Sequence, residues 1–140
     1  MPNIINLDPE NITRTLYDSI CQSIMQIRNV DDELSEITVA YSYYYGIMTR
    51  AKLLLDDAND ALEQHKASTR NEKRKDGKLT AVAGEDLVNS LPETAELTAL
   101  VRTRQEAYGY AKGICNSIEM KKDMLVQLSA NSRQESKLYQ

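Results

Sequence analysis

A chain of 140 residues with a formal net charge of −4 and a pI near 5.1 has the size of one domain and is not a uniformly basic surface for coating nucleic acid. It holds no Trp and no Phe, so its core must come from Leu, Ile, Val, Ala and Met, with eight Tyr at the margins. Five Gly and three Pro are too few for the turns that an all-β chain needs about every 8–12 residues, and no apolar run approaches the roughly 18 residues of a membrane span.

These exclusions leave an all-α fold. Residues 1–7 show no helical period and read as an arm; without a basic n-region or an apolar h-region, no secretory leader is expected. Asp8-Pro9-Glu10 reads as a helix start, with a capping carboxylate, Pro at the first helical position and acid in the first turn. Ile12, Leu16, Ile20, Ile24 and Ile27 line one face of this helix, expected over 8–28. Asn29-Val30-Asp31-Asp32 breaks it and caps the next.

The clearest pattern follows. Leu34, Ile37, Tyr41, Tyr44, Met48, Ala51, Leu55, Ala58 and Leu62 alternate three and four residues apart. This heptad a/d stripe predicts a helix over 31–65 that packs left-handedly on another helix. At 1.5 Å per residue it is about 50 Å long. Such a rod carries more apolar face than one short helix covers. The chain is therefore expected to form a homo-oligomer through Leu34, Ile37, Tyr41, Tyr44, Met48, Leu55 and Leu62.

From Lys66 to Lys78 apolar residues give way to six basic and two acidic side chains, a local charge of +4 in a chain of −4. Gly77 ends whatever helix persists there. The span 66–91 reads as a basic connector followed by a short helix from Glu85 to Leu91, bounded by Gly84 and Pro92. A last long helix is expected over 92–135, with a stripe of Leu97, Leu100, Val101, Ala107, Ala111, Ile114, Cys115, Ile118, Leu125 and Leu128. Gly109 and Gly113, four apart, suit the close approach of a neighbouring helix or else weaken the helix by about 1 kcal/mol each. The whole reads as a single helical domain over 1–140. It is an antiparallel pair of long amphipathic helices with coiled-coil-like packing and the N-terminal helix docked alongside.

Chemistry-bearing residues are sparse. Glu33-x-x-Glu36 and Asp57-x-x-Asp60 are carboxylate pairs of the kind that hold Mg²⁺. On one unbroken helix they stand about 35 Å apart and cannot share an ion, so they read as solvated faces. His65 is the single histidine, read as a half-buried residue near the helix end, and no nucleophile signature accompanies it. Cys21 and Cys115 match no metal spacing and read as reduced, buried thiols of a cytoplasmic chain. No enzyme activity, metal or cofactor is expected. Two features stand out. In Tyr41-Ser42-Tyr43-Tyr44-Tyr45, Tyr43 and Tyr45 leave the seam and serve either packing or base stacking. The stretch Lys66, Arg70, Lys73, Arg74, Lys75 and Lys78 is either a solvated tether or a phosphate-binding segment.

With this layout the chain resembles the UvsY-type recombination mediators of bacteriophages over roughly residues 31–137. The resemblance lies in the long helix with Tyr43-Tyr44-Tyr45-Gly46 and in the basic connector from Arg70 to Lys78. It continues in the final helix closing on Ile118-Glu-Met-Lys121-Lys122-Asp-Met-Leu125-Val-Gln-Leu128 and Arg133-Gln-Glu135. Proteins of that family are small helical oligomers that bind single-stranded DNA and help a recombinase displace the single-strand-binding protein. The resemblance implies these properties here, in the cytoplasm of a host cell. The six cations of the connector would then take the DNA backbone, with Tyr43 and Tyr45 stacking. A second reading is a protein–protein interaction module, such as a phage inhibitor or adaptor of a host protein, that docks its apolar stripe on a partner. A third is a structural subunit of a virion.

Overall fold

A computed structural model describes residues 6–75 and 81–139. The fold is all-α. Its helices are α1 (Arg14–Met25), α2 (Val30–Lys75), α3 (Ala81–Ser90) and α4 (Pro92–Leu138), and no strand occurs among the described residues.

The first helix starts later than Asp8-Pro9-Glu10 suggests. Asp8 makes a local turn instead: its carboxylate accepts from the Glu10 N–H (2.9 Å) and from the Asn11 amide (2.9 Å). Thr13 is the cap of α1, its hydroxyl accepting from the Leu16 N–H. A carboxylate satisfied by the next residues' donors is a turn-former, and that local competition moves the start of α1 to Arg14. The α2 start follows the expectation, with the Asn29 side chain capping the Asp32 N–H at 3.1 Å.

Helices α2 and α4 pack antiparallel, and the residues gather in two compact units. One holds the chain up to Ala51 and from Ala107 onward; the other is Lys52–Glu106. In the first, Glu33 meets Lys121 and Tyr41 meets Glu119. Its core joins Leu7 and Ile12, Ile20 and Ile24 of α1, Ile37, Ala40, Tyr44 and Ala51 of α2, and Ala107, Ala111, Ile114 and Ile118 of α4. Helix α1 runs alongside α4 in the same direction, with Tyr17 stacked on Tyr110 and Cys21 near Ser117. In the second unit Ala58 and Leu62 of α2 and Val101 of α4 form a smaller core, flanked by Leu55 and Leu97.

The heptad is visible in the burial of Ile37, Tyr44, Ala51 and Ala58, each seven residues from the next. The sequence assigns this seam to a second copy of the chain, yet Ile37, Tyr44 and Leu62 are buried within one chain, and Leu34, Tyr41, Met48 and Leu55 are half-buried there. In the first unit α4 covers the seam together with α1, Leu7 and Ile12, and in the second Val101 and Leu97 of α4 do. Leu100 and Leu128, read as core, are exposed.

Glu33, read as solvated, is 2% exposed and ion-paired at 2.6 Å with Lys121, itself 1% exposed. Lys121 also donates to the Gln26 carbonyl, while the other Glu33 oxygen accepts the N–H groups of Arg28 and Asn29. One buried pair thus ties the end of α1, the start of α2 and the body of α4. Burial opposes ionisation of Glu33, but the Lys121 hydrogen bond, the Arg28 N–H, the Lys121 charge and the Asn29 N–H outweigh it. They hold the carboxyl below its ordinary pKa.

Candidate nucleic-acid interface

The basic stretch is helical. Helix α2 runs to Lys75, ten residues past the end expected at His65. At 100° per residue, Lys66, Arg70, Lys73 and Arg74 fall on one side, and the first to the last spans about 12 Å. This is the packed side: the face that buries Leu62 continues as His65, Lys66, Arg70 and Lys73, all half-buried, with Arg74 exposed. The seam changes from apolar to cationic within one turn. Lys78 and the side chain of Lys75 lie outside the described residues.

Helices α3 and α4 supply what faces these residues. Arg70 reaches Glu85 of α3 at 3.7 Å, and its Nε is buried without a hydrogen-bond partner. His65 shares a 3.0 Å hydrogen bond with the Thr94 hydroxyl and stands 3.8 Å from the Glu93 carboxylate. The buried Thr94 hydroxyl donates to the Val88 carbonyl at 2.6 Å, which ties the end of α3 to the start of α4. His65 is therefore half-buried as read, but well inside the helix.

A crevice in this unit has about 550 Å³ of space and is lined by Lys66, Asn89, Thr94, Ala95, Thr98, Ala99 and Arg102. Arg102, Thr98 and Asn89 are additions that the sequence did not indicate. Thr94, Thr98 and Arg102 stand four apart on α4, a spacing too common to be read as a site. Asn89 arrives only through the α3–α4 turn.

The tyrosines part company. Tyr43 is half-buried, and its hydroxyl accepts from the Leu7 N–H at 3.0 Å and donates to the Asn6 side chain at 3.3 Å. That hydroxyl therefore holds Asn6 and Leu7 against α2. Tyr45 is 48% exposed and tilts against Tyr41 at 5.8 Å between centroids. Among the described residues no cluster of three metal-ligating side chains is assembled. Both cysteines are free thiols. Burial, with the Glu119 charge, pushes the Cys115 thiol up to about 11, so it stays protonated near neutral pH. No described helix is long and apolar enough to cross a membrane.

No protein-family model matches the chain, no curated protein is detectably similar to it, and no solved structure matches it.

Proposed function

We propose that this chain is a non-enzymatic helical protein that binds single-stranded DNA as a homo-oligomer and assists a recombinase, in the manner of the phage recombination mediators it resembles, within the host cytoplasm. The observation that carries the reading is the change of the α2 seam from Leu62 to Lys66, Arg70 and Lys73 in a chain of net charge −4. Half-burying cations costs desolvation that an anionic ligand offsets. Neutralising DNA phosphates releases counterions and needs no base sequence. One copy offers few free cations, since Arg70 is engaged by Glu85, so several copies on one strand would add avidity.

Exposed Met120, Met124 and Leu128, four residues apart on α4, support the oligomeric part of this reading now that the α2 seam is filled within the chain. The same residues favour the second reading, in which the chain docks on a partner protein.

The test is the mass in solution by light scattering, with and without a single-stranded oligonucleotide. An oligomer that takes up the strand is expected. Changing Lys73, Arg74 and Lys75 together to Ala is expected to weaken binding and flatten its salt dependence by about 0.7 for each phosphate no longer neutralised. Failure of the parent to bind at low salt, or a triple variant that binds as the parent does, removes the DNA reading and leaves the protein-partner one.

A further inference from the structure

Three surface crevices differ in charge. The one at Ile37, Tyr41 and Ile118 includes Glu119 as well as Lys122. The one at the α1–α2 turn includes Asp31 beside Arg28 and Arg133. The crevice of the Lys52–Glu106 unit has two cations, Lys66 and Arg102, and no carboxylate. The neighbouring positions sharpen the contrast. His65 and Arg70, on the same side of α2, each face a carboxylate, Glu93 and Glu85. Among the described residues Lys66 and Arg102 have no acidic partner.

The remaining lining sorts by hydrogen-bonding capacity. The Thr94 and Thr98 hydroxyls already donate to the carbonyls of Val88 and Thr94. The donors left for a ligand are the Lys66 ammonium, the Arg102 guanidinium and the Asn89 amide. Ala95 and Ala99 add a small apolar surface between the polar groups. Three donors, two of them charged, suit a phosphate oxygen set, and the methyl groups suit the sugar that adjoins it.

We infer that this crevice seats one phosphodiester of a bound DNA single strand, with Arg102 as the principal contact; this rests on the DNA-binding reading above. Lys66 holds the group from the α2 side and Asn89 from α3, so the strand is anchored where the cationic seam begins.

The experiment measures the affinity of the full chain for a fluorescently labelled oligothymidylate across a salt series, for the parent, Arg102→Ala, Arg102→Lys and the Lys73/Arg74/Lys75→Ala variant. Arg102 is exposed, so its replacement is expected to keep the helical circular dichroism. Arg102→Ala should bind about tenfold more weakly with a salt slope lower by about 0.7, and Arg102→Lys should recover the slope. If the parent binds and the triple variant weakens binding while Arg102→Ala changes nothing, the crevice is overturned and the DNA reading stands. If the parent does not bind at low salt, both fall.

Discussion

Glu33 and Lys121 show how one side-chain pair fixes a junction. Two charges buried to 2% and 1% exposure are tolerable because both Glu33 oxygens accept hydrogen bonds and the Lys121 ammonium donates to Glu33 and to the Gln26 carbonyl. Removing one partner strands the other. Lys121→Met is expected to cost about 3–5 kcal/mol in urea unfolding, whereas Lys121→Met combined with Glu33→Leu should recover most of that loss. If the single and double variants are equally unstable, the pair is not what holds the junction. The pH dependence has a definite sign. The folded pKa of Glu33 lies below its ordinary value of 4.5. The pair's contribution is therefore complete above that pH and is lost as pH falls through the lower folded value. Glu33→Gln should thus flatten the acid limb of the stability curve below about pH 4.5 and leave the slope near neutral pH unchanged.

Within α4, two glycines on the same side have different surroundings. A Cβ at Gly113 would lie 2.8 Å from Cε2 and 2.9 Å from the hydroxyl of Tyr17, while one at Gly109 meets nothing within 4 Å. Only Gly113 serves the close approach of α1. Gly109→Ala should therefore stabilise the protein by up to about 1 kcal/mol through helix propensity. Gly113→Ala should forfeit that gain, because Tyr17 must move off Tyr110, on which it stacks at 5.2 Å. Thermal melts of the two variants check this, and equal shifts would contradict the contact. Helix α2 makes a related point. Its last ten residues contain no aliphatic side chain larger than Ala67, yet they stay helical to Lys75. Straight-chain Lys, Arg and Glu are good helix formers, and Arg70 finds Glu85 on α3.

For the molecule as a whole, the two units differ in what holds them. The unit built from α1 and the adjoining parts of α2 and α4 buries a broad aliphatic and tyrosine core plus the Glu33–Lys121 pair. Among the described residues the Lys52–Glu106 unit relies on Ala58, Leu62 and Val101 with Leu55 and Leu97 beside them, and on the fully buried Val88. Less apolar burial means cheaper local opening. Native-state hydrogen exchange should show the α2 amides of 52–75 exchanging well before those of 33–51, although both lie on one helix. Uniform protection along α2 would show that it opens as one cooperative segment. If single-stranded DNA occupies the cationic seam, adding it should slow exchange in the weaker segment first, because a ligand stabilises the state it binds.

The sequence by itself determined the chain's helical class, the starts of its two longest helices and the packed face of α2, but not the ten further residues of α2 to Lys75. Those properties follow from periodicity and from the scarcity of Gly and Pro, which act over a few residues. It did not determine what each face packs against. Burial of apolar area is non-directional, so a heptad from Leu34 to Leu62 serves a second copy or the chain's own α4 equally well, and the tertiary structure chose α4. The start of α1 was misplaced because Asp8 satisfies donors in its own turn instead of capping a helix. The hydrogen bonds of the Tyr43 hydroxyl to Leu7 and Asn6 join residues 36 and 37 apart and have no local signal. Glu33 and Lys121, 88 residues apart, and Lys66 with Arg102 carry no mutual signal in the chain, because charged side chains on long helices ordinarily face water. Only the antiparallel return of α4 brings such residues together, and with it the buried ion pair and the crevice.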